Sequence, residues 1–349
     1  MRDRGVLTEV RASEPAASDP DGKLTAGPAA DDLNIEEKAE NTERKGQMTK
    51  ELQEKLADAQ MVLVGIGKEM ELKSQEVFGT MKENLRYAKL LEQAEERKEA
   101  DAIKQYLQLS WMKNHPDERR QAAYGQLAAL LSGKNYFIVT LCTDDLILEA
   151  GLDEGRIVAP CGGFRALQCP ALQCPTLQSS ARKSSAEGEE RTEDAARQES
   201  EAPQAEGCLY TDPAMWEGPL SRIEDGTALS EIAFPRCPKC GSVLAFNRIS
   251  TPGYLEEGYL PQWKKYQKWL QGTLNHRLCI LELGAGMEYP SVIRFPFERV
   301  AFFNQKAELF RVHSRLYQMP AELKGRGVSI QADPADFLLE NAAQENIVS

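Results

Sequence analysis

Short apolar runs alternate along the chain with longer segments in which apolar residues recur at helical spacing. Met61-Val62-Leu63-Val64-Gly65-Ile66-Gly67 is the first run, closing in glycines as a parallel strand buried on both faces would. Tyr136 to Thr140 predicts a second strand, Arg156 to Val158 a short third, and Leu278 to Leu283 a later one that ends in Gly284-Ala285-Gly286. Arg299 to Phe303 and Leu309 to Val312 read as further strands. Leu52 to Ala59 and the stretch from Gln75 to His115 are helix-forming. Glu118 to Leu131 places Tyr124, Leu127, Ala128 and Leu131 on one face before the stop signal Ser132-Gly133. Trp263, Tyr266 and Trp269 or Leu270 also share a helical face, so the lysines between them read as solvated rather than as part of a nucleic-acid stacking platform. Strands alternating with helices predict an α/β fold, a Rossmann-like doubly wound parallel sheet with its ligand crevice at the strands' carboxyl ends.

Two stretches depart from this pattern. Residues 1–47 and 179–207 are rich in Ala, Pro, Gly, Ser and charged residues and poor in aromatics, so they cannot bury enough apolar surface to offset the entropy of ordering. A disordered N-terminal tail and a disordered insertion are expected. Immediately upstream of the insertion, Ala166-Leu167-Gln168-Cys169-Pro170 is followed by Ala171-Leu172-Gln173-Cys174-Pro175, a short tandem repeat in which Cys174 reads as a copy of Cys169. The charge balance of 42 basic against 54 acidic side chains, net −12, argues against a protein that grips the nucleic-acid backbone. No apolar run is long enough to span a bilayer, and Met1 to Leu7 breaks into polar residues before a signal-peptide core can form. A cytoplasmic location is expected. In a reducing compartment the eight cysteines are expected to hold metal or do chemistry rather than form disulfides.

The two Gly-x-Gly turns, Gly65-Ile66-Gly67 and Gly284-Ala285-Gly286, would let backbone N–H groups approach a pyrophosphate closely, although a tight turn after a strand has the same pattern. The first lacks the third glycine of the dinucleotide fingerprint, with Lys68, Glu69, Met70 and Glu71 following. Arg236-Cys237-Pro238-Lys239-Cys240-Gly241 is half of a structural zinc site, two thiolates that can reach one tetrahedral ion. Two further ligands are needed, and Cys169, Cys174 and Cys208 are the upstream candidates. Cys142, Cys161 and Cys279 all lie at or near strand ends, so a cysteine-based or redox-sensitive site is also conceivable.

Taken in order, Lys134 to Thr140, Asp144, Glu149-Ala150-Gly151, Arg156-Ile157-Val158, Gly162, Cys169, the later Cys-x-x-Cys and Leu283-Gly284-Ala285-Gly286-Met287 with Pro290 resemble the sirtuin family. The likeness runs from about residue 50 to 335 and is nearest to the macrodomain-linked type, with Glu282-Leu283-Gly284 and Ile293 to Phe297 as similar segments. The resemblance implies a sirtuin-like domain over 48–335. Its Rossmann core would occupy 48–165 and 270–335, a small zinc-binding module would be inserted at 166–250, and a C-terminal tail would follow at 336–349. It implies NAD as cofactor, a structural zinc and a protein substrate or partner, with no nucleic acid and no membrane. The activity would break the nicotinamide–ribosyl bond and hand the ADP-ribosyl carbon to an acyl-lysine oxygen or a protein side chain.

The resemblance places Gly65 and Gly67 at the phosphate-binding turn, Cys142 and Asp144 near the nicotinamide pocket, and Gly284 and Gly286 at the ribose and adenine end. It assigns Cys169, Cys237 and Cys240 to zinc, with Cys208 favoured over Cys174 as the fourth ligand because it resumes folded-looking sequence. The family pattern also fails at named positions. Cys161 stands where the family has its histidine base, Cys142 where an asparagine precedes the aspartate, Gly286 where a serine ends the strand, and Lys68 to Leu72 where small residues and an Asp-Phe-Arg are usual. Losing a positioned base commonly costs about 10²- to 10⁴-fold. Cys161 is then either a thiolate base or nucleophile or simply a small packed residue, with Asp144 as its catalytic companion. His313 reads as a packing residue. ADP-ribosyl transfer therefore stands beside deacylation, and a catalytically silent NAD or ADP-ribose sensor or a zinc-stabilised interaction protein stands as the alternative.

Overall fold

The apolar runs form strands because continuous apolar sequence suits a sheet covered on both faces. In a computed structural model that describes residues 46–174 and 209–340, the strands in chain order are β1 (Met61–Ile66), β2 (Tyr136–Thr140), β3 (Ile157–Val158), β4 (Gly162–Gln168), β5 (Leu209–Tyr210), β6 (Ala245–Arg248), β7 (Leu278–Leu283), β8 (Ala307–Val312) and β9 (Gly327–Ile330). Six of them build one parallel sheet in the order β3-β2-β1-β7-β8-β9. Renumbered within the sheet, this is the order 3-2-1-4-5-6 of dinucleotide-binding folds. The chain winds outward from β1 through β2 and β3, then returns at β7 on the other side of β1. The winding reverses between β1 and β7, which pair from Met61↔Leu278 to Ile66↔Leu283.

Alternate strand residues feed two cores. Val62, Val64, Ile66, Ile138, Leu281 and Phe310 pack with Leu52 and Leu56 of a helix through 48–58 and with Tyr124, Leu127 and Leu131 of the helix Glu118–Leu131. Leu63, Phe137, Val139, Ile280 and Leu309 pack on the opposite face with Tyr266 and with Phe297 and Ala301. Tyr266 belongs to the helix Leu260–Gln271, where Trp263, Trp269 and Leu270 line the same core, as their spacing predicts. Arg299 to Phe303, expected as a strand, is instead the second half of the helix Arg294–Phe303. The reason is periodicity: Phe297 and Ala301 are buried four residues apart, Phe302 and Phe303 are exposed, and Pro296 sits in the first turn, where its missing N–H costs nothing.

A second sheet, β5-β4-β6, is antiparallel and begins at Gly162. Its core joins Phe164, Leu167 and Phe246 to residues of the helices Ser74–Glu83, Leu85–Glu95, Ala100–Asn114 and Ala214–Glu224. The first three of these helices fall within 48–165, which the sequence reading gives to the Rossmann core, but their apolar faces pack with the cysteine-bearing lobe. Tyr106 ties the two together by donating its hydroxyl to the Leu244 carbonyl at 2.9 Å.

Residues 1–45, 175–208 and 341–349 lie outside the described residues, and with them nearly all of the expected N-terminal tail, the whole insertion at 179–207 and the last nine positions. Residues 336–340, expected within a C-terminal tail, instead belong to a helix over 334–340 that buries Phe337 and Leu338 against the sheet. Asp333 caps that helix, accepting from the N–H groups of Ala335 and Asp336 at 2.9 and 3.1 Å. Among the described residues no helix is long and apolar enough to cross a membrane. Phe337→Ala is expected to destabilise the protein by about 3–5 kcal/mol, as loss of a fully buried aromatic does. Urea unfolding measures this, and a cost under about 1 kcal/mol would place the helix outside the core.

Candidate functional site

The carboxyl ends of β1 and β7 meet at the reversal point, where an open α/β sheet offers its crevice. Gly67 donates its N–H to the Leu283 carbonyl at 2.8 Å, and a side chain there would collide with the backbone of Gly284 and Ala285. Gly284 in turn takes a left-handed φ of 67° and donates to the Val312 carbonyl at 2.8 Å. These amides are spent on extending the sheet, so the two glycine turns press on each other. Gly65 makes room for the helix behind it: a Cβ there would lie 2.5 Å from Ile293 and 2.7 Å from Phe297. Gly286 differs from the other three, since a Cβ would meet only ordinary contacts, His313 Nε2 at 3.7 Å and Leu316 Cδ1 at 3.9 Å.

The β1 and β2 loops are stitched together by the residues expected to hold cofactor. Cys142 donates its thiol hydrogen to the Gly67 carbonyl at 3.4 Å and accepts from the Tyr124 hydroxyl at 3.8 Å. Asp144 accepts from the N–H of Leu72 at 2.6 Å and of Leu146 at 3.1 Å, so both its oxygens are engaged. Burial pushes its carboxyl up to about 7 despite those donors. Glu71 Oε1 accepts from the Thr143 N–H, the Thr143 hydroxyl and Lys68 Nζ, each at 2.8 Å. Next to Asp144, Asp145 accepts from the Phe164 N–H at 2.5 Å, and burial pushes its carboxyl up to about 6.

Arg248, the last residue of β6, enters this network from the other lobe. Its guanidinium donates to Thr143 Oγ1 at 2.8 Å, Gln108 Oε1 at 3.0 Å and Ser74 Oγ at 3.2 Å, and its carbon lies 4.5 Å from the centre of the Phe164 ring. The sequence reading missed Arg248. The only signal available to it is an arginine closing an apolar strand just after the Cys-x-x-Cys.

Cys161 is buried, accepts at its carbonyl from the Ile249 N–H at 2.8 Å, and has its thiol pushed up to about 11 by burial, against a downward pull from Lys68. Such a thiol stays protonated near neutral pH. His313, at the end of β8, is buried, and desolvation lowers its pKa. Cys279 pairs with Val62 near the opposite end of the sheet, and burial pushes its thiol up to about 12. The structure therefore does not gather Cys142, Cys161 and Cys279 into one site.

A separate cluster forms at the far side of the small lobe. Cys169 and Cys240 sulfurs lie 3.4 Å apart, those of Cys174 and Cys237 3.7 Å apart, and all four fall within 4.8 Å of one another. A tetrahedral zinc with Zn–S of about 2.3 Å needs sulfurs about 3.8 Å apart, and an all-thiolate set with no open position suits a structural ion. The four residues fit that ion. Cys174, set aside on sequence as a repeat copy, takes the corner expected of Cys208, which lies outside the described residues.

No family model matches the chain. A segment of 101 residues, 28% of this chain, is 27% identical to a protein ADP-ribosyltransferase of Staphylococcus aureus (strain Mu50). That segment spans about a third of the relative, 32% of its length. Among solved structures, one of Sir2 enzymes is 15% identical with a TM-score of 0.40, covering 86% of this chain and 98% of the other. A mutant Sir2 homologue in complex with 2'-O-acetyl ADP ribose is 11% identical with a TM-score of 0.42, covering 85% and 96%. The fold is carried by the strand order and register above.

Metal analysis of the purified protein is expected to find one zinc per chain, lost on Cys174→Ser and kept on Cys208→Ser; the reverse pattern would restore Cys208 as the fourth ligand. A second expectation concerns pH. The carboxyl of Asp144 is raised in the fold, so its proton binds the folded state more tightly than the unfolded chain. That stability is full below the ordinary aspartate range and is lost as pH rises through about 7. Asp144→Asn should flatten the fall in urea stability between about pH 4 and about pH 7. Equal slopes in the two proteins would show that Asp144 titrates normally.

Proposed function

We propose that this divergent sirtuin-like protein uses NAD to modify protein side chains, and that its reaction is ADP-ribosyl transfer rather than deacylation. The observation that carries the choice is Cys161. It occupies the place where sirtuins have their histidine base, and it is buried with its thiol pushed up to about 11. Deacylation needs a base to take a ribose hydroxyl proton before the acyl group can move. Beside Cys161, Lys68 and Glu71 are paired with each other, and in the crevice loops Asp144 and His313 are buried and already bonded. Direct attack on the ribosyl carbon by a protein partner's side chain, with nicotinamide leaving, removes no ribose hydroxyl proton, and a carboxylate acceptor has no proton of its own to lose. The name of the Staphylococcus aureus relative supports the same choice.

When bound, NAD supplies an electrophilic ribosyl carbon with nicotinamide as its leaving group. The chain's own residues supply position. Cys142, Thr143 and Asp144 hold the β2 loop against the β1 loop, through Gly67, Glu71 and Leu72 respectively. Arg248 fixes the small lobe over that junction. Lys68, paired with Glu71, is a cation held at the crevice edge, where it can face a phosphate. Gly286 leaves the space that a larger residue at the end of β7 would fill.

The test is nicotinamide release by zinc-loaded protein given NAD, with bulk protein or an acetylated-peptide pool as acceptor. Release with label on protein and none with peptide is expected, and Cys161→Ala should match wild type within about 2-fold. A loss of about 10²-fold or more in Cys161→Ala would make the thiol a base or nucleophile. Silence with both acceptors would favour a nucleotide-binding sensor, which the full engagement of both Asp144 oxygens also suits.

A further inference from the structure

Two consecutive carboxylates leave the end of β2 in different directions. Asp144 binds the Leu72 N–H of the β1 loop, and Asp145 turns toward the start of β4. To do so Asp145 takes a left-handed φ of 61°, which among the described residues only Asn275 shares without being glycine. That turn opens the short helix Leu146–Ala150, whose Leu148 N–H donates to the Asp145 carbonyl at 3.0 Å. Glycine would make the same turn without strain, and backbone strain of this kind persists where the side chain is put to use.

In β4 the complementary feature is a missing side chain. A Cβ on Gly163 would stand 2.0 Å from Asp145 Oδ1, and the next N–H, that of Phe164, donates to Oδ2 at 2.5 Å. Gly162 is matched to β6 in the same way: its φ is 69°, and a Cβ there would lie 1.9 Å from the Asn247 carbonyl oxygen. The β4–β6 ladder is irregular between Gly162 and Leu167, so the Phe164 N–H lies in a gap of the ladder and finds its acceptor on the Rossmann sheet's loop. The Phe164 ring then meets Phe246 edge-on, centres 5.0 Å apart, inside the core of the small lobe. The charges of Arg165 and Arg248 favour the carboxylate at this place, against Glu149. Asp145 therefore grips the small lobe at a step of β4 that the sheet leaves free, three residues after Cys161.

We propose that Asp145 is a positioning residue for the transfer reaction, its carboxylate fixing where the Cys161–Phe164 segment of the small lobe stands over the nucleotide crevice. This deepens the NAD reading and rests on it. Asp145 moves no proton and touches no reacting atom in this role. It acts through geometry: a protein side chain attacking the ribosyl carbon must be held in line with the departing nicotinamide, and a shift of about 1 Å in the wall beside it is enough to cost rate. Nucleotide binding, which the loops after β1, β7 and β8 provide, should change little, so the loss falls on kcat and not on KM.

Three variants of the full-length, zinc-loaded protein test this. Asp145→Gly makes the turn without strain and leaves the Phe164 N–H without its carboxylate, whereas Asp145→Asn keeps an oxygen acceptor and tolerates the left-handed turn. Gly163→Ala drives a methyl group at the carboxylate from the β4 side. In Asp145→Gly and Gly163→Ala, amide exchange at 162–166 is expected to quicken by about tenfold, and nicotinamide release with bulk protein as acceptor to lose about tenfold or more in kcat. KM for NAD and calorimetric affinity for ADP-ribose should stay within about threefold of wild type. Asp145→Asn should recover most of the rate and of the exchange protection. Zinc content and thermal unfolding certify each fold. Wild-type kcat in either folded disruptive variant, an equal loss of rate in Asp145→Asn and Asp145→Gly, or a loss carried by KM would overturn the assignment while leaving the NAD reading intact. A wild type that binds ADP-ribose but releases no nicotinamide would end the transferase reading and this proposal with it, and a wild type that binds neither NAD nor ADP-ribose would bring down the NAD reading as well.

Discussion

The parallel pairing of β1 with β7 is the constraint on which the rest of the molecule depends. The chain must leave β1 in one direction, lay down three helices of the small lobe, build β2 and β3, complete the small lobe, and return to β1's other side. That return sets two glycine turns against each other at one end of the sheet. Gly67 has no side chain because the Gly284 backbone occupies the space one would need. The crevice and the opening beside Gly286 both follow from this contact. The same sequence feature, a strand ending in glycine, therefore serves sheet closure first, and the polar side chains at the crevice come from the loop that follows.

The second constraint is charge in a buried place. Glu71, Asp144 and Asp145 lie where the two lobes meet, and a guanidinium from β6 lies among them. A buried charge must be paired and hydrogen-bonded to be tolerated, and a planar group with five donors can satisfy acceptors on several elements at once. Arg248 does so, bonding Thr143 from the Rossmann sheet's loop and Ser74 and Gln108 from the helices of the small lobe. The lobe carrying the four cysteines is thus coupled to the crevice through β6, which begins five residues after Cys240, and through β4, whose Phe164 N–H bonds Asp145. A structural ion at those cysteines would stiffen the segment that presents Arg248.

Five of the six strands of the large sheet were legible in the sequence as apolar runs, the pattern that burial on both faces imposes; the edge strand β9, Gly-Val-Ser-Ile and mostly half-buried, was not. Arg299 to Phe303, expected as a strand, is a run of similar composition whose helical spacing shows only when Phe297 is counted with it. The cysteine cluster was legible to its third member. The fourth was not, because a tandem copy and a free upstream thiol look alike in sequence; among the described residues Cys174 completes the cluster. Cys142 and Asp144, expected near a nicotinamide pocket, hold the β1 and β2 loops together in the structure, with their polar atoms engaged by buried hydrogen bonds. Arg248 and Asp145 are the residues that sequence reasoning missed or passed over. Each draws its meaning from partners on other elements, far from it in sequence, and no local spacing encodes that.

The central claim is that a nucleotide binds where the winding of the sheet reverses. Hydrogen exchange of the zinc-loaded protein with and without saturating ADP-ribose tests it most directly. Slowed exchange is expected in the loops after β1, β7 and β8, at 68–73, 284–293 and 313–319, with the helices of the small lobe little changed. Protection confined to other regions, or no protection and no binding, would contradict it.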